Sequence, residues 1–257
     1  MESLRIYNIF SKKGYLRNLD SQVINYKDCE DSKIAQSEDR DCFFINALIT
    51  FASAINGINS TSYSWVFVQM YYTLFYLAKT QFAIERYSIF YENRKLYSIR
   101  LIPGGRFIKH KRNIHEAIFK YYNTEFPNDY FVKNEIDNIK PFDWFKNKRE
   151  IINYRINPME DPRVSFNCFE YKKSIRKWLQ LYFNESEGGY TFSNEHAYVA
   201  MVVKFIDKIF SYYIDKKICN NILNDQHIKF FKNTIKDNSG PIDFIIEKIK
   251  YISNESR

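Results

Sequence analysis

Residues Trp65 to Ile84 read WVFVQMYYTLFYLAKTQFAI, and this stretch decides the fold. It is apolar almost all round a helical wheel, which places it at the centre of a packed structure rather than on its surface. Its 20 residues would also span a bilayer, but Gln69, Lys79 and Gln81 interrupt it. The reading is a central helix of a soluble bundle, started by Ser62 or Ser64.

Upstream, Ser37 followed by Glu38 and Asp39 has the form of an N-cap with acids in the first turn. A helix then runs to about Asn56, with Phe44, Leu48, Phe51 and Ile55 at helical spacing, and Gly57 and Asn59 end it. Residues 1–36 are polar and weakly patterned, and read as an irregular arm with a short helix. Downstream, Ile84 to Pro103 is mixed in pattern, either a helical extension or a short hairpin. Asn113 to Asn123 reads as a helix with Ile114, Ile118 and Tyr121 on one face. Pro141 suits a first helical turn, and that helix carries Phe142, Phe145, Arg149 and Ile152 before Pro158 and Pro162 break it. Further helices are expected over Cys168 to Phe183, from Ser193 to about Asn220, and near 225–236 and 241–253. The fold class expected is therefore all-α: an arm over 1–36, then a helical domain over 37–257 with a basic insertion at about 85–140.

Composition agrees with that class. Only 7 Gly and 6 Pro stand among 257 residues, too few for a sandwich or barrel with frequent turns. An aromatic share of 18% excludes general disorder. The four cysteines, Cys29, Cys42, Cys168 and Cys219, are far apart, so neither a zinc site nor a disulfide framework is expected. The start, MESLRIYNIFSKKGY, is not a secretory signal, and a cytoplasmic protein without a membrane anchor is the expectation. Phosphate-binding glycine loops, zinc-hydrolase motifs and the serine-esterase elbow are missing, so no metal and no cofactor is expected.

The net charge of +8 has a location. Arg94, Lys95, Arg100, Arg106, Lys109, Lys111 and Arg112 fill a stretch with no acid, joined by His110 and His115. Gly104-Gly105 in its middle allows close approach of a ligand, and Tyr97 and Phe107 could stack on bases. Such a tract suits a polyanion. A-T-rich coding DNA favours Lys by itself, but Arg supplies four of the seven charges. A second basic cluster, Lys172-Lys173 with Arg176-Lys177, reads as a solvated helix face.

The segment FDWFKNKREIINYRINPMEDP, Phe142 to Pro162, places Arg149 and Asn153 one turn apart on a helix, with Tyr154 and Arg155 following. Together with SWVFVQMYYTLFYLAKTQF (Ser64 to Phe82), its REIINYR resembles the HEPN superfamily, helical-bundle proteins of prokaryotic toxin and antiviral-defence systems. The resemblance spans about 40–220. It implies metal-independent RNA cleavage in which the RNA's own 2′-OH attacks the adjacent phosphate, at a cleft in a dimer interface. Arg149 then stands where the family's phosphate-binding Arg stands, and Tyr154 where its His is expected. Tyrosine, with an ordinary pKa near 10, is a poorer base at neutral pH than histidine near 6.5. His115 is a substitute acid–base, and Asn153 a polar neighbour. Arg100, Arg106, Lys109, Lys111, Arg112 and Arg155 are the expected nucleic-acid contacts. The functional expectation is an RNA-directed protein, a metal-independent endoribonuclease acting as a homodimer or as a subunit of a larger complex. The alternatives are a non-catalytic nucleic-acid-binding or structural subunit of a defence or toxin–antitoxin complex, and a helical protein-docking adaptor.

Overall fold

A computed structural model describes residues 4–60, 62–111, 113–154, 168–216 and 224–234. In chain order its elements are α1 (Arg5–Lys12), two short 3-10 turns (Tyr15–Arg17 and Leu19–Ser21), α2 (Tyr26–Asn59) and α3 (Tyr63–Ile84). Three strands follow, β1 (Tyr87–Glu92), β2 (Lys95–Arg100) and β3 (Ile108–His110). The remainder is α4 (Ile114–Glu125), α5 (Tyr130–Lys133), α6 (Pro141–Tyr154), α7 (Cys168–Asn184), α8 (Ala197–Asp215) and α9 (Asp225–Thr234). The protein is mostly helical, as expected, but it is not all-α: an antiparallel sheet of order β1-β2-β3 occupies residues 87–110.

Contacts group the chain into two compact units, Met1–Phe44 with Phe75–Glu125, and Ile45–Leu74 with Phe126–Arg257. Helices α2 and α3 each run through both.

The first unit is built on the sheet. Asn93 and Arg94, both at positive φ (49° and 61°), make the two-residue turn joining β1 to β2. That backbone matches the natural twist of a hairpin. Both faces of the sheet are covered. Phe90, Tyr97 and Ile99 point to one side, where they pack with Ile6, Phe10, Tyr15, Leu19 and Ile24. The rings of Phe10 and Phe107 meet edge to face at 5.2 Å. Ile89, Leu96 and His110 point to the other side, where His110 meets Tyr121 of α4 at 4.9 Å. Strand β2 is consequently buried at four positions in a row, Leu96 to Ile99, and shows none of the alternation of a half-buried strand.

The N-terminal segment is part of this core rather than an irregular arm. Ile24 donates its N–H to Gly105 O (2.9 Å) and accepts from Gly104 N–H (2.9 Å), next to a bridge between Val23 and Arg106. Gly104-Gly105 therefore receives the close approach of another segment of this chain. A Cβ on Gly105 would stand 2.2 Å from Arg100 O and 3.0 Å from Ile102 O. Helix α1 is held by a distant cap: the Asp39 carboxylate accepts from Arg5 N–H (2.9 Å) and Ile6 N–H (3.1 Å). Ser37 caps nothing. It lies inside α2, and its hydroxyl donates to Ile34 O at 2.7 Å. The cap of α2 is Asn25, whose Oδ1 accepts from Asp28 N–H (2.8 Å) while its Nδ2 donates back to Asp28 Oδ2 (2.9 Å).

Among the described residues, the regular structure of the second unit is helical apart from an isolated bridge between Ile136 and Ile139. Gly57 of α2 lets α3 come close, since a Cβ there would meet Val66 Cγ2 at 2.7 Å. Gln69 donates to Ser53 Oγ at 2.7 Å. Helix α8 is buried from Ala197 to Val203, with Tyr198 stacked on Phe67 at 4.7 Å and Phe205 on Phe131 at 4.9 Å. Lys204 donates to the carbonyls of Phe183 (3.3 Å) and Glu185 (2.9 Å), serving the carbonyl-rich end of α7. Helix α8 begins at Ala197 rather than at Ser193. The expected helix near 241–253 lies outside the described residues.

The Gly105 packing gives a stability test. Gly105→Ala should destabilise by about 1–3 kcal/mol, the range of overpacking. Gly189→Ala, where the nearest atom is 3.7 Å away, should stay within about 0.5 kcal/mol in urea denaturation.

Candidate anion-binding sites

Helix α6 opens with Pro141, and Phe142 and Phe145 turn into the second unit. Arg149 continues the same stripe, seven residues after Phe142. A half-buried Arg on an otherwise apolar face must find something to cover its charge. Its Cζ lies 4.9 Å from the ring centre of Tyr71 and 5.6 Å from that of Tyr72. Nη2 donates to the Tyr72 hydroxyl over a long 3.5 Å, and Nε is buried with no hydrogen-bond partner. No carboxylate among the described residues forms an ion pair with it. Cation–π contact offsets part of the cost of desolvation, by about 0.5–2 kcal/mol. A partly desolvated cation without an ion-pair partner among the described residues, and an orphaned donor, remain. A planar guanidinium in that state is suited to an incoming carboxylate or phosphate.

The other residues of the motif are placed differently. Asn153 is exposed, and Tyr154, the last residue of α6, is 75% exposed. Arg155 lies outside the described residues. His115 belongs to the first unit, whereas Arg149, Asn153 and Tyr154 belong to the second. Its ring is tilted against Phe75 at 4.5 Å.

The basic tract is in the first unit, along the margins of the sheet. Arg94 occupies the β1–β2 turn, Lys95 and Arg100 the two ends of β2, Arg106 the bridge to Val23, Lys109 the edge strand β3, and Lys111 the residue after it. All six are exposed, and none has a carboxylate partner among the described residues. Arg112 lies outside those residues. Arg100 rests its guanidinium 5.3 Å from the centre of the Tyr87 ring. Two expectations fail here. Tyr97 and Phe107 are each only 5% exposed, so they are core rings and not stacking platforms. His110 adds no charge: its Nε2 pairs with Ser98 Oγ at 2.8 Å, and burial pushes its imidazole below the usual range.

Two further polar clusters leave no sign in the sequence. In the second unit, the Tyr182 hydroxyl and His196 Nδ1 are 2.9 Å apart, with Trp178 and Tyr190 around the imidazole at 4.9 and 5.1 Å. In the first unit, Lys79 and Asp39 line a narrow cleft with Gln36, Phe43, Tyr87 and Ser88. Lys79 Nζ lies 3.8 Å from the centre of the Phe43 ring. Burial lowers its pKa from the ordinary 10.5 to about 8, against the pull of Asp39. Burial likewise raises Asp39, opposed by the backbone N–H groups of Ile6 and Arg5 and by Lys79. Among the described residues, no cluster of His, Cys, Asp and Glu is arranged to hold a metal. Comparison with protein-family models, with curated proteins and with solved structures returned no match to this chain.

Lys79 gives a pH test whose sign is fixed. Between pH 8 and 10.5 the unfolded chain keeps the lysine proton and the folded chain gives it up, so stability rises with pH. The difference between wild type and Lys79→Met should move in favour of wild type across that window, by at most about 1.4 kcal/mol per pH unit. Urea denaturation at a series of pH values measures it, and a flat difference would contradict the burial of this amine.

Proposed function

We propose that this chain is a HEPN-like protein that acts on RNA, with Arg149 as the residue that receives a phosphate. The observation that carries the reading is the guanidinium held against Tyr71 and Tyr72 with a buried, unpartnered Nε and no carboxylate beside it. A partly desolvated cation of this kind gains most from an anion that accepts two hydrogen bonds in one plane. The six exposed, unpaired basic residues of the hairpin, from Arg94 to Lys111, support a polyanion over a small acid. The choice of RNA, and a role in a prokaryotic defence or toxin system in the cytoplasm, rest on the resemblance carried by Ser64 to Phe82 and Arg149 to Arg155. So does assembly as a homodimer or within a larger complex.

One observation favours binding without cleavage. Transfer of the 2′-OH proton needs a positioned base, and Tyr154 at the family's His position is solvent-exposed with no partner among the described residues. The non-catalytic subunit is therefore the second reading, and the first is a metal-independent endoribonuclease.

The experiment separates them. Single-stranded RNA is incubated with the protein in EDTA, and binding is followed by fluorescence anisotropy from 50 to 200 mM salt. Arg149→Ala should weaken binding about tenfold with unchanged circular dichroism, as loss of one charge-assisted pair would. Changing Arg100, Arg106, Lys109 and Lys111 together to Ala should flatten the salt slope by about 3, at roughly 0.7 per lost phosphate contact. Products ending in 2′,3′-cyclic phosphate, absent in Arg149→Ala, would establish the nuclease. Binding without products supports the subunit reading, and no salt-dependent binding at all rejects both.

A further inference from the structure

The basic end of the sheet also carries exposed aliphatic side chains, which a polyanion alone does not explain. We propose that this corner of the first unit docks on the anionic surface of a lipid bilayer, with Ile102 and Ile108 entering the headgroup layer and Arg100 and Arg106 meeting its phosphates. The proposal does not depend on the RNA reading, which draws on the charges of the corner and on none of its aliphatic groups.

The strand register puts these groups together. Val23 pairs with Arg106, so the two side chains leave the same face of the sheet, and Ile108, two positions further along, leaves it too. Phe107 between them points the opposite way, into the core beside Phe10. Helix α4 covers the Arg106 face as far as His110, where Tyr121 meets the imidazole. Past that point the cover ends: Ile108 is 51% exposed and Val23 44%. The connection from β2 to β3 completes the corner. Ile102, Pro103 and Gly104 are exposed in succession, and Tyr26, two residues after Ile24, is 68% exposed. The connection is held in place, because Gly104 N–H donates to Ile24 O and Ile24 N–H to Gly105 O, so little ordering is needed when it docks.

A single exposed aliphatic residue needs no explanation, but a group of them at one corner of a sheet does. A ribose–phosphate chain gives them no apolar layer to enter. Arg100 and Arg106 stand beside them and Lys109 on the reverse of β3, all exposed and without a carboxylate partner among the described residues. Charge complementarity therefore selects a negative surface, and the aliphatic groups select one with hydrocarbon just beneath its phosphates. An anionic bilayer offers both. Attraction of the cations, about fivefold in binding for each, then acts together with withdrawal of the isoleucines from water.

Vesicle co-sedimentation tests this on the intact chain. The protein is mixed with phosphatidylcholine vesicles, either pure or containing about one third phosphatidylglycerol. It should pellet with the mixed vesicles and stay in solution with pure phosphatidylcholine. Ile102→Ser with Ile108→Ser should weaken binding to mixed vesicles at least about tenfold, with circular dichroism and RNA anisotropy as in wild type. Arg100→Ser with Arg106→Ser should weaken it by about fivefold per charge. A second readout is Ile102→Trp, whose added emission should shift to the blue on mixed vesicles. Wild type that stays in solution with mixed vesicles, or an unshifted Trp emission, would overturn the proposal. Vesicle binding that the serine pair at 102 and 108 leaves unchanged would also overturn it, reducing the corner to a surface for any polyanion, RNA included. Equal binding to pure phosphatidylcholine would overturn the part assigned to the arginines.

Discussion

A helix that is apolar round most of its circumference must be enclosed over most of it, and α3 imposes that demand on the rest of the chain, leaving a stripe from Trp65 through Gln69, Tyr72 and Tyr76 to Lys79 less than fully buried. Val66, Met70, Tyr71 and Leu74 of its first half are buried in the second unit, and Leu77, Ala78 and Phe82 of its second half are buried in the first. Each large apolar side chain among them contributes about 1.5–3 kcal/mol when withdrawn from water, so uncovering the buried faces would cost much of a typical domain's stability. The polar groups along the helix must then be satisfied locally. Thr73 and Thr80 do so by donating to carbonyls four residues back, Gln69 O and Tyr76 O, both at 2.9 Å.

The same constraint explains why charge near α3 is conspicuous. Lys79 projects from it and Arg149 leans on it, and neither forms an ion pair with a carboxylate among the described residues. Their surroundings answer with aromatic faces: Phe43 under Lys79, Tyr71 and Tyr72 under Arg149. An aromatic face moderates a cation without neutralising it, as an ion pair would. Each belongs to its own unit, and each stands on its own contacts.

What can be read from the sequence follows from what leaves a periodic trace. Helix α3 is legible because twenty residues without a polar face cannot lie on a wetted surface. Helix α6 is legible from Pro141 and the spacing of Phe142, Phe145 and Arg149. The hairpin is ambiguous for a physical reason: burial on both faces erases the alternation of a strand, and its turn uses Asn93-Arg94 with no glycine to announce it. Ser37 misleads because acids follow it, whereas the cap that forms, Asn25 with Asp28, precedes a polar run. The partners of Arg149 are invisible because Tyr72 is 77 positions away, although the tyrosine pair itself stands in the deciding stretch. Tyr97 and Phe107 read as surface aromatics beside basic residues, and only the N-terminal segment closing over them makes them core.

That closure bears on the order of folding during synthesis. Val23 pairs with Arg106, so this segment leaves the ribosome roughly 80 residues before the sheet it packs against, several seconds or more at ordinary elongation rates. Throughout that interval Ile6, Phe10, Tyr15 and Ile24 lack the cover of Phe90, Tyr97, Ile99 and Phe107. Long-range pairing of this kind is slow, and the waiting chain is exposed to aggregation. Binding of this nascent segment by a chaperone would meet a need that the finished structure no longer shows.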